Sequence, residues 1–196
     1  MCAFSLRREK TAIKILSIIL ACFWILGAIV FCCALVEKHF FYPVKHYEII
    51  KKYSQEYGVK KELILSVINA ESSFNAKAKS EKGAKGLMQI TDSTAEFIAD
   101  KLGIIYYDIF TPETNVKFGT YYLRYLFMRF SNEQTVICAY NAGEGNVRAW
   151  LEDERYSSDG ISLNSIPFNE TANYLKKILK SQKKYLKYYG YILDKK

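Results

Sequence analysis

The sequence predicts a mostly α-helical domain over residues 44–190, preceded by one membrane-spanning helix. Residues 15–36 contain no charged side chain, and about 20 apolar residues are enough for a helix to cross a bilayer. Beyond this run, apolar residues recur every three or four positions, whereas the period-2 alternation typical of half-buried strands is scarce. The outer part is long enough to bury one sizeable core.

Four basic side chains precede the apolar run. The positive-inside rule therefore predicts a cytoplasmic leader at residues 1–14, an anchor at residues 15–36 and an extracytoplasmic remainder. Two processing alternatives stay open, because the sequence ending at Cys22 resembles a lipoprotein cleavage site and a signal peptidase could cut near Ala34. The apolar run exceeds the usual signal-peptide core of about 7–15 residues, which favours an uncleaved anchor.

The first helices of the outer part are short. A connector is expected at residues 37–43, and an amphipathic helix over residues 44–57 is stopped by Gly58. A second helix is expected over residues 60–72. The segment that follows, residues 73–85, mixes Ser, Asn, Lys and Gly and is predicted to be a loop.

Caps and breakers define the middle of the domain. Thr91 or Asp92 can cap a helix that ends at Gly103. Pro112 precedes a long helical pattern over residues 115–130. The region is therefore predicted to contain one short and one long helix.

The C-terminal third has the same kind of signals. Asn132, or the Ser before it, can cap a helix that runs toward the break at Gly143. A short piece at residues 146–151 follows this break, and a last helix is predicted over residues 169–189 after a polar stretch. No internal repeat is evident.

Few Cys and His residues are present, and this excludes several chemistries. Cys138 is the only Cys beyond the anchor, so the outer domain cannot form an internal disulfide. His39 and His46 both lie beside the predicted membrane end. The remaining domain has no His for a Ser/His/Asp triad, a Cys/His dyad or a His-ligated zinc site. We expect carboxylate chemistry, with neither a metal nor an organic cofactor.

The chain is basic, with a net charge of +8. Five Lys/Arg and two Asp/Glu lie before residue 39, so +5 remains on the outer part. Such a surface can attract wall polymers or anionic lipid headgroups, or it can be generic and without a specific partner. Nucleic-acid binding is not expected, because no recognised motif accompanies the charge.

One carboxylate stands where the pattern calls for an apolar residue. Glu71 occupies the next position on a helical stripe formed by Ile64, Val67 and Ile68. A carboxyl against an apolar wall loses hydration of its charged form, so its pKa should rise. Such a group can stay protonated near neutral pH and act as a general acid. The structural alternative is a Glu that braces the following loop.

Four blocks of sequence carry a resemblance to a known family. "AESSFNAKAKSEKGAKGLMQITDSTA" at residues 70–95 closely resembles the signature of lytic transglycosylases of the soluble-transglycosylase (SLT) type. These enzymes are relatives of goose-type lysozyme, in glycoside hydrolase family 23. Three further blocks follow in the family's order, namely "NVKFGTYYL" at residues 115–123, "AYNAGEGNV" at residues 139–147 and "IPFNETANYLKKI" at residues 166–178.

Two positions depart from the family pattern. Asp92 stands where Pro is usual, at a helix start where the change should matter little. Ala172 stands where an Arg commonly follows Glu-Thr. The contacts that such an Arg makes must be absent here or supplied by another residue.

The resemblance implies a lysozyme-like fold and a reaction on peptidoglycan. The β-1,4 bond between N-acetylmuramic acid and N-acetylglucosamine is cleaved, with Glu71 acting first as acid and then as base. The muramoyl C6 hydroxyl attacks C1, so a 1,6-anhydro end forms and no water is consumed. One carboxylate then suffices, whereas an ordinary retaining hydrolase needs a second one about 5–5.5 Å away.

The resemblance also assigns substrate-binding roles. The matching positions are Ser80, Met88, Gln89, Tyr140, Asn141, Glu170 and Tyr174. Alternatives remain for several of them: Ser80 can be a loop cap, Met88 a core residue, and Glu170 a carboxylate that favours a helix N-terminus.

The expected partners are peptidoglycan strands and, through residues 15–36, the cytoplasmic membrane. The predicted location is the cell membrane, with a single pass, a cytoplasmic N-terminus and the catalytic domain outside. Two other functions stay open, a hydrolytic muramidase on the same fold and a non-catalytic wall-binding scaffold.

Overall fold

The chain forms two compact units, Met1–Pro43 and Val44–Lys196. The structure is a computed structural model that describes the backbone of residues 2–194 and the side chains of residue 14 and residues 16–194.

The first unit is a single long helix with a short continuation. Helix α1 covers Cys2–Val36, and a π-helical turn, Glu37–Phe41, extends it. Of the predicted leader, residues 2–14 belong to the same helix, and the side chains up to residue 13 lie outside the described residues. The helix also continues beyond residue 36, into the predicted connector, where a polar Glu-Lys-His segment precedes the exposed Phe40 and Phe41.

Membrane anchoring is indicated by the segment Leu16–Phe41. It is long and apolar enough to cross a bilayer by length and composition, and its apolar side chains are exposed. A signal sequence near an N-terminus would have the same properties.

The second unit is built from helices. They are α2 Tyr47–Tyr57, α3 Lys61–Ser72, α4 Asp92–Leu102, α5 Pro112–Arg129, α6 Glu133–Ala142, α7 Glu144–Leu151 and α8 Asn169–Leu193. Between residues 2 and 194 there is no β-strand, and the loop between α3 and α4 contains only two isolated β-bridges.

The predicted caps and breakers are present in the structure. The Thr91 hydroxyl accepts a bond from the N–H of Thr94, and the Asn132 side chain accepts two N–H groups from the first turn of α6. Gly58 and Gly103 end α2 and α4 in the left-handed conformation, which favours Gly. These local signals therefore fix four helix ends.

Two predicted helix starts differ in the structure, and the short piece expected at residues 146–151 belongs to a helix. Helix α2 begins at Tyr47, three residues late, because His46 is in the left-handed conformation with φ 56°. Helix α5 begins at Pro112 rather than at residue 115, since Pro needs no N–H partner in the first helical turn. Helix α7 begins at Glu144, directly after the Gly143 break.

Helix α3 lies at the centre of the second unit. Residues 63–68 have no exposed surface, so this helix is buried on every side. Helix α8 packs against α3 and α6, while α2 packs against α5. The C-terminal end of α3 is thus the place where a buried helix emerges at the surface.

Candidate active site

Glu71 lies in the last turn of α3, just beyond the fully buried segment. It keeps part of its surface accessible, although its carboxyl is mainly enclosed by protein. Burial raises the pKa of Glu71 to about 7. The nearby Tyr174 hydroxyl and the Lys177 charge lower this pKa, and the Glu170 charge raises it further. A carboxyl with this pKa can both donate and accept a proton near neutral pH.

Two tyrosines flank the Glu71 carboxyl. The Tyr140 hydroxyl donates to the Met88 carbonyl at 2.8 Å, and the buried Tyr174 hydroxyl has no hydrogen-bond partner of good geometry among the described residues. Burial, followed by the Glu71 charge, raises the pKa of both phenols well above the ordinary value. Both therefore stay protonated, and Tyr174 keeps a donor available beside Glu71.

The loop between α3 and α4 is tied to the end of α3 by the residue after Glu71. The Ser72 hydroxyl donates to the Leu87 carbonyl at 2.8 Å. Ser73 then ends the helix in the left-handed conformation, with φ 50°. The chain thus turns sharply beside the carboxyl, and the loop is held against Glu71.

A buried side chain on α5 holds the same loop from the other side. Asn115 accepts from the Met88 N–H at 2.7 Å and donates to the carbonyls of Lys85 and Ile109, each at 2.9 Å. Its side chain has no exposed surface. A Cβ on Gly86 would overlap the Asn115 amide, so only Gly fits there.

Two predicted substrate-binding residues brace the loop. Ser80 accepts from the Ala84 N–H at 3.0 Å, which is the loop-capping role. Gln89 has φ 50° and donates from its side-chain amide to the Gly86 carbonyl at 2.9 Å and more weakly to Ala78 at 3.3 Å. Both stay partly exposed, so their contacts with sugar remain predictions.

Met88 lies in the core. Its side chain is fully buried and packs so closely on Gly119 that a Cβ there would overlap the Met88 side chain. This packing corresponds to the alternative in which Met88 is a core residue. It is the Met88 carbonyl that contacts a residue of the site, because it accepts the hydrogen bond from the Tyr140 hydroxyl. Sugar contact by the Met88 side chain is not available in this packing.

The remaining predicted residues join α6 to the start of α8. Asn141 accepts from the Thr171 hydroxyl at 2.7 Å, so it fixes the first turn of α8. Glu170, in the same turn, is exposed and pairs with Lys82 of the loop at 3.6 Å. Glu170 is near enough to Glu71 for its charge to act on that carboxyl, and its exposed pair with Lys82 contributes little because solvent screens it.

The sequence reasoning missed Lys177. Its ammonium group donates to the Ala70 carbonyl at 2.8 Å, one residue before Glu71. It is the one cation that lowers the pKa of Glu71 among the described residues. Lys177 lies within the fourth resemblance block, five positions after Ala172, and places a positive charge near Glu71. Only the three-dimensional packing of α8 on α3 could reveal this.

Several known proteins are similar to this chain. A family profile described as "Transglycosylase SLT domain" matches residues 48–161. The soluble lytic murein transglycosylase of Escherichia coli (strain K12) is 35% identical over 161 residues, which cover 79% of this chain and 24% of that protein. The membrane-bound lytic murein transglycosylase C of Pectobacterium atrosepticum is 31% identical over 166 residues, covering 72% of this chain and 46% of the relative.

Solved structures agree with these sequence matches. The 70 kDa soluble lytic transglycosylase of E. coli superimposes with a TM-score of 0.70 at 34% identity, covering 79% of this chain and 26% of the other. An inactive Glu-to-Gln mutant of the lytic transglycosylase Slt from Pseudomonas aeruginosa gives 0.67 at 29% identity, with 78% and 25% covered. The predicted mostly α, lysozyme-like fold is confirmed. The chain spans about a quarter to a half of the length of the curated relatives it matches.

Proposed function

This chain belongs to the transglycosylase SLT domain family, and on that premise we propose that its second unit is a peptidoglycan lytic transglycosylase. The bond cleaved is the β-1,4 linkage between N-acetylmuramic acid and N-acetylglucosamine, and the product carries a 1,6-anhydro end. Relatives named as soluble and membrane-bound lytic murein transglycosylases support this assignment.

The observation that carries the proposal is the environment of Glu71. Its pKa of about 7 allows the group to begin the reaction protonated and to take a proton back later. Glu170, the other carboxylate that acts on it, is exposed and paired with Lys82. This arrangement favours one acid/base carboxyl over a pair of reacting carboxylates.

The reaction then needs two proton transfers by the same group. Protonated Glu71 gives its proton to the glycosidic oxygen as the bond from that oxygen to C1 of the muramoyl residue breaks. Glu71, now a carboxylate, takes the proton from the C6 hydroxyl as this oxygen bonds to C1. The enzyme returns to its starting state, and the sugar's N-acetyl group can stabilise the positive charge that develops at C1.

The surrounding residues would position the sugar and the acid. Tyr174 would donate a hydrogen bond from its phenolic O–H to the carboxylate form of Glu71, and Tyr140 would keep the loop in place through Met88. Ser80, Gln89, Asn141 and Glu170 would contact the sugars at the accessible sides of the cleft. None of these roles requires a cofactor.

We propose that residues 15–36 anchor this unit to the cytoplasmic membrane, with residues 1–14 inside, residues 37–43 as the link and residues 44–190 outside. The basic leader sets this orientation, and a relative named as membrane-bound supports the location.

Product analysis tests the proposed reaction. The full chain in mild detergent is incubated with purified peptidoglycan, and the soluble fragments are identified by mass spectrometry. Anhydro ends, lighter than reducing ends by one water, are the expected result. Reducing ends would replace the proposal with a hydrolytic muramidase, and the absence of fragments, with binding retained, would indicate a non-catalytic scaffold.

The pH dependence tests the role of the Glu71 environment. Since the acid form starts the reaction, kcat/KM should fall as pH rises through about 7. Lys177 lowers the pKa of Glu71, so Lys177→Gln should raise this pKa and move the fall to higher pH. The rate at the optimum pH should drop by less than about tenfold, because the charge of an exposed Lys contributes only about 0.2–1 kcal/mol. The measurement is kcat/KM on purified muropeptide chains across pH.

Lys176→Gln is the matched control, because its side chain is exposed and is not among the groups that shift the pKa of Glu71. A Lys177→Gln profile that coincides with the wild-type profile, or moves to lower pH, would contradict the proposed coupling.

A further inference from the structure

Helix α8 has a row of lysines on its outer face. Lys176, Lys180, Lys183 and Lys187 follow one another at intervals of four, three and four residues, so they share one side of the helix. Tyr191 continues the row at the next interval of four. The segment from Lys176 to Tyr191 is about 22 Å long at the rise of an α-helix. We call this row, from Lys176 to Tyr191, the basic face.

The opposite side of α8 fixes the basic face to the domain. Ile178 and Tyr185 have no exposed surface and belong to the core. The lysines are therefore held as an ordered array rather than on a mobile tail. The array presents positive charge in one direction.

Negative charge is absent from this part of the helix. Between Thr171 and Leu193 the sequence contains six Lys and no Asp or Glu. Within the described part of the chain none of the four lysines of the basic face forms an ion pair. A shallow groove runs along it, lined by the stems of these lysines together with Leu179 and Lys184. The face thus combines ammonium groups that have no carboxylate partner with an apolar floor, which suits an anionic amphiphile.

The C-terminal end of α8, where the basic face ends, is hydrogen-bonded to a residue that follows the apolar span closely in the chain. The Tyr47 hydroxyl donates to the Ile192 carbonyl at 2.9 Å, which joins the end of α8 to the start of α2. Tyr47 is only six residues beyond Phe41, the last residue of the apolar span. Six residues of extended chain reach about 20 Å at most. With the span in a bilayer, only this short segment separates Tyr47 from the anchor along the chain.

We propose that the basic face binds the anionic phospholipid headgroups of the membrane that holds the anchor. This inference rests on the membrane anchoring proposed above. Lysines close to a bilayer are attracted by its negative surface potential. Tyr191 is 66% exposed and Leu186 is 44% exposed, and aromatic and aliphatic side chains at this end suit the headgroup level. Lipid is favoured over a wall polymer for two reasons. The segment between Phe41 and Tyr47 is short, and the exposed apolar groups lie at the end of α8 that is hydrogen-bonded to Tyr47.

Amine accessibility in two kinds of bilayer tests this inference. The full chain is placed in nanodiscs of phosphatidylglycerol mixed with phosphatidylcholine, or of phosphatidylcholine alone. Each lysine is acetylated with a water-soluble reagent, and its rate is read from peptide masses. In the anionic discs we expect Lys183 and Lys187 to react about fivefold more slowly. Lys79 and Lys101, outside α8, should react equally in both, and 1 M salt should remove the difference.

The other possible outcomes would each overturn one statement: lipid binding, membrane anchoring or the identity of the ligand. Equal rates for Lys183 and Lys187 in both discs, with the chain inserted, would overturn lipid binding alone. A chain that fails to co-elute with discs would overturn the anchoring, and this inference with it. Protection by soluble polyphosphate in phosphatidylcholine discs, without protection by phosphatidylglycerol, would identify a phosphate polymer as the ligand and reject the lipid.

Discussion

Glu71→Gln should abolish glycan cleavage. The amide keeps the size of the side chain but can neither give the proton to the glycosidic oxygen nor take it from the C6 hydroxyl. Because one carboxyl would perform both steps, we expect kcat to fall by at least about 10³-fold, within the range for general acid–base catalysis. The release of soluble muropeptides from purified peptidoglycan measures this, with the full chain in detergent.

The same substitution should not destabilise the fold. The pKa of Glu71 is raised to about 7 in the folded chain from an ordinary value of 4.5. Between these pH values the folded state binds more protons than the unfolded state, so stability falls as pH rises through this window. Above pH 7 the buried charge costs on the order of 3 kcal/mol, and Gln removes that cost.

We therefore expect Glu71→Gln to be inactive and at pH 8 at least as stable as the wild type, as measured by urea unfolding. Glu96→Gln, at an exposed position of α4, is the matched control and should keep full activity. If the Glu71→Gln chain cleaved peptidoglycan at the wild-type rate, Glu71 would have no part in the chemistry.

The helices and the acid could be predicted because their signals are local. Caps and breakers within a few residues of each helix end determined where α4 and α6 begin. The position of Glu71 on an apolar stripe gave its burial and the direction of its pKa shift. Predictions failed where a single backbone conformation decided the boundary, as at His46, since a left-handed residue other than Gly has no clear sequence signal.

The parts of the site that could not be predicted depend on contacts between distant segments. Lys177 reaches the carbonyl of Ala70, 107 residues away, and no periodicity in either segment indicates this pairing. Met88 is similar, because the sequence cannot tell whether a Met beside a cleft points into it or into the core. The close packing of Met88 on Gly119, 31 positions later, decides that it points inward.

Asn115→Ala should cause the largest loss of stability among the substitutions around the site. Its side chain satisfies one buried N–H and two backbone carbonyls, those of Met88, Lys85 and Ile109. A buried polar group left without a partner costs about 1–3 kcal/mol. Water can enter the opened site and replace some of these three bonds, so we expect the free energy of unfolding to fall by about 3–5 kcal/mol in total. This is a large share of a typical folding free energy of about 5–15 kcal/mol. Urea unfolding followed by near-ultraviolet circular dichroism, which reports the packed tyrosines, measures the change.

Two further variants separate the hydrogen bonds from the loss of side-chain volume. Asn115→Asp keeps the acceptor for the Met88 N–H but places a carboxylate oxygen against two carbonyls. It should be as destabilising as Asn115→Ala at pH 8 and less so in acid, where a protonated carboxyl can donate one bond. Asn146→Ala removes a single exposed bond to the Ala142 carbonyl and should change stability by less than about 1 kcal/mol.

The effect of Asn115 should extend from stability to catalysis. It holds the N–H of Met88, and the carbonyl of the same residue accepts from Tyr140 beside Glu71. Under conditions where the Asn115→Ala variant is still folded, the bond from the Met88 N–H to residue 115 is lost. Tyr140 and the loop would then no longer hold the Glu71 carboxyl in place. The rate should therefore fall at temperatures well below unfolding. An Asn115→Ala chain with wild-type stability and wild-type rate would show that the loop is held by its own turns, such as that of Ser80, and not by α5.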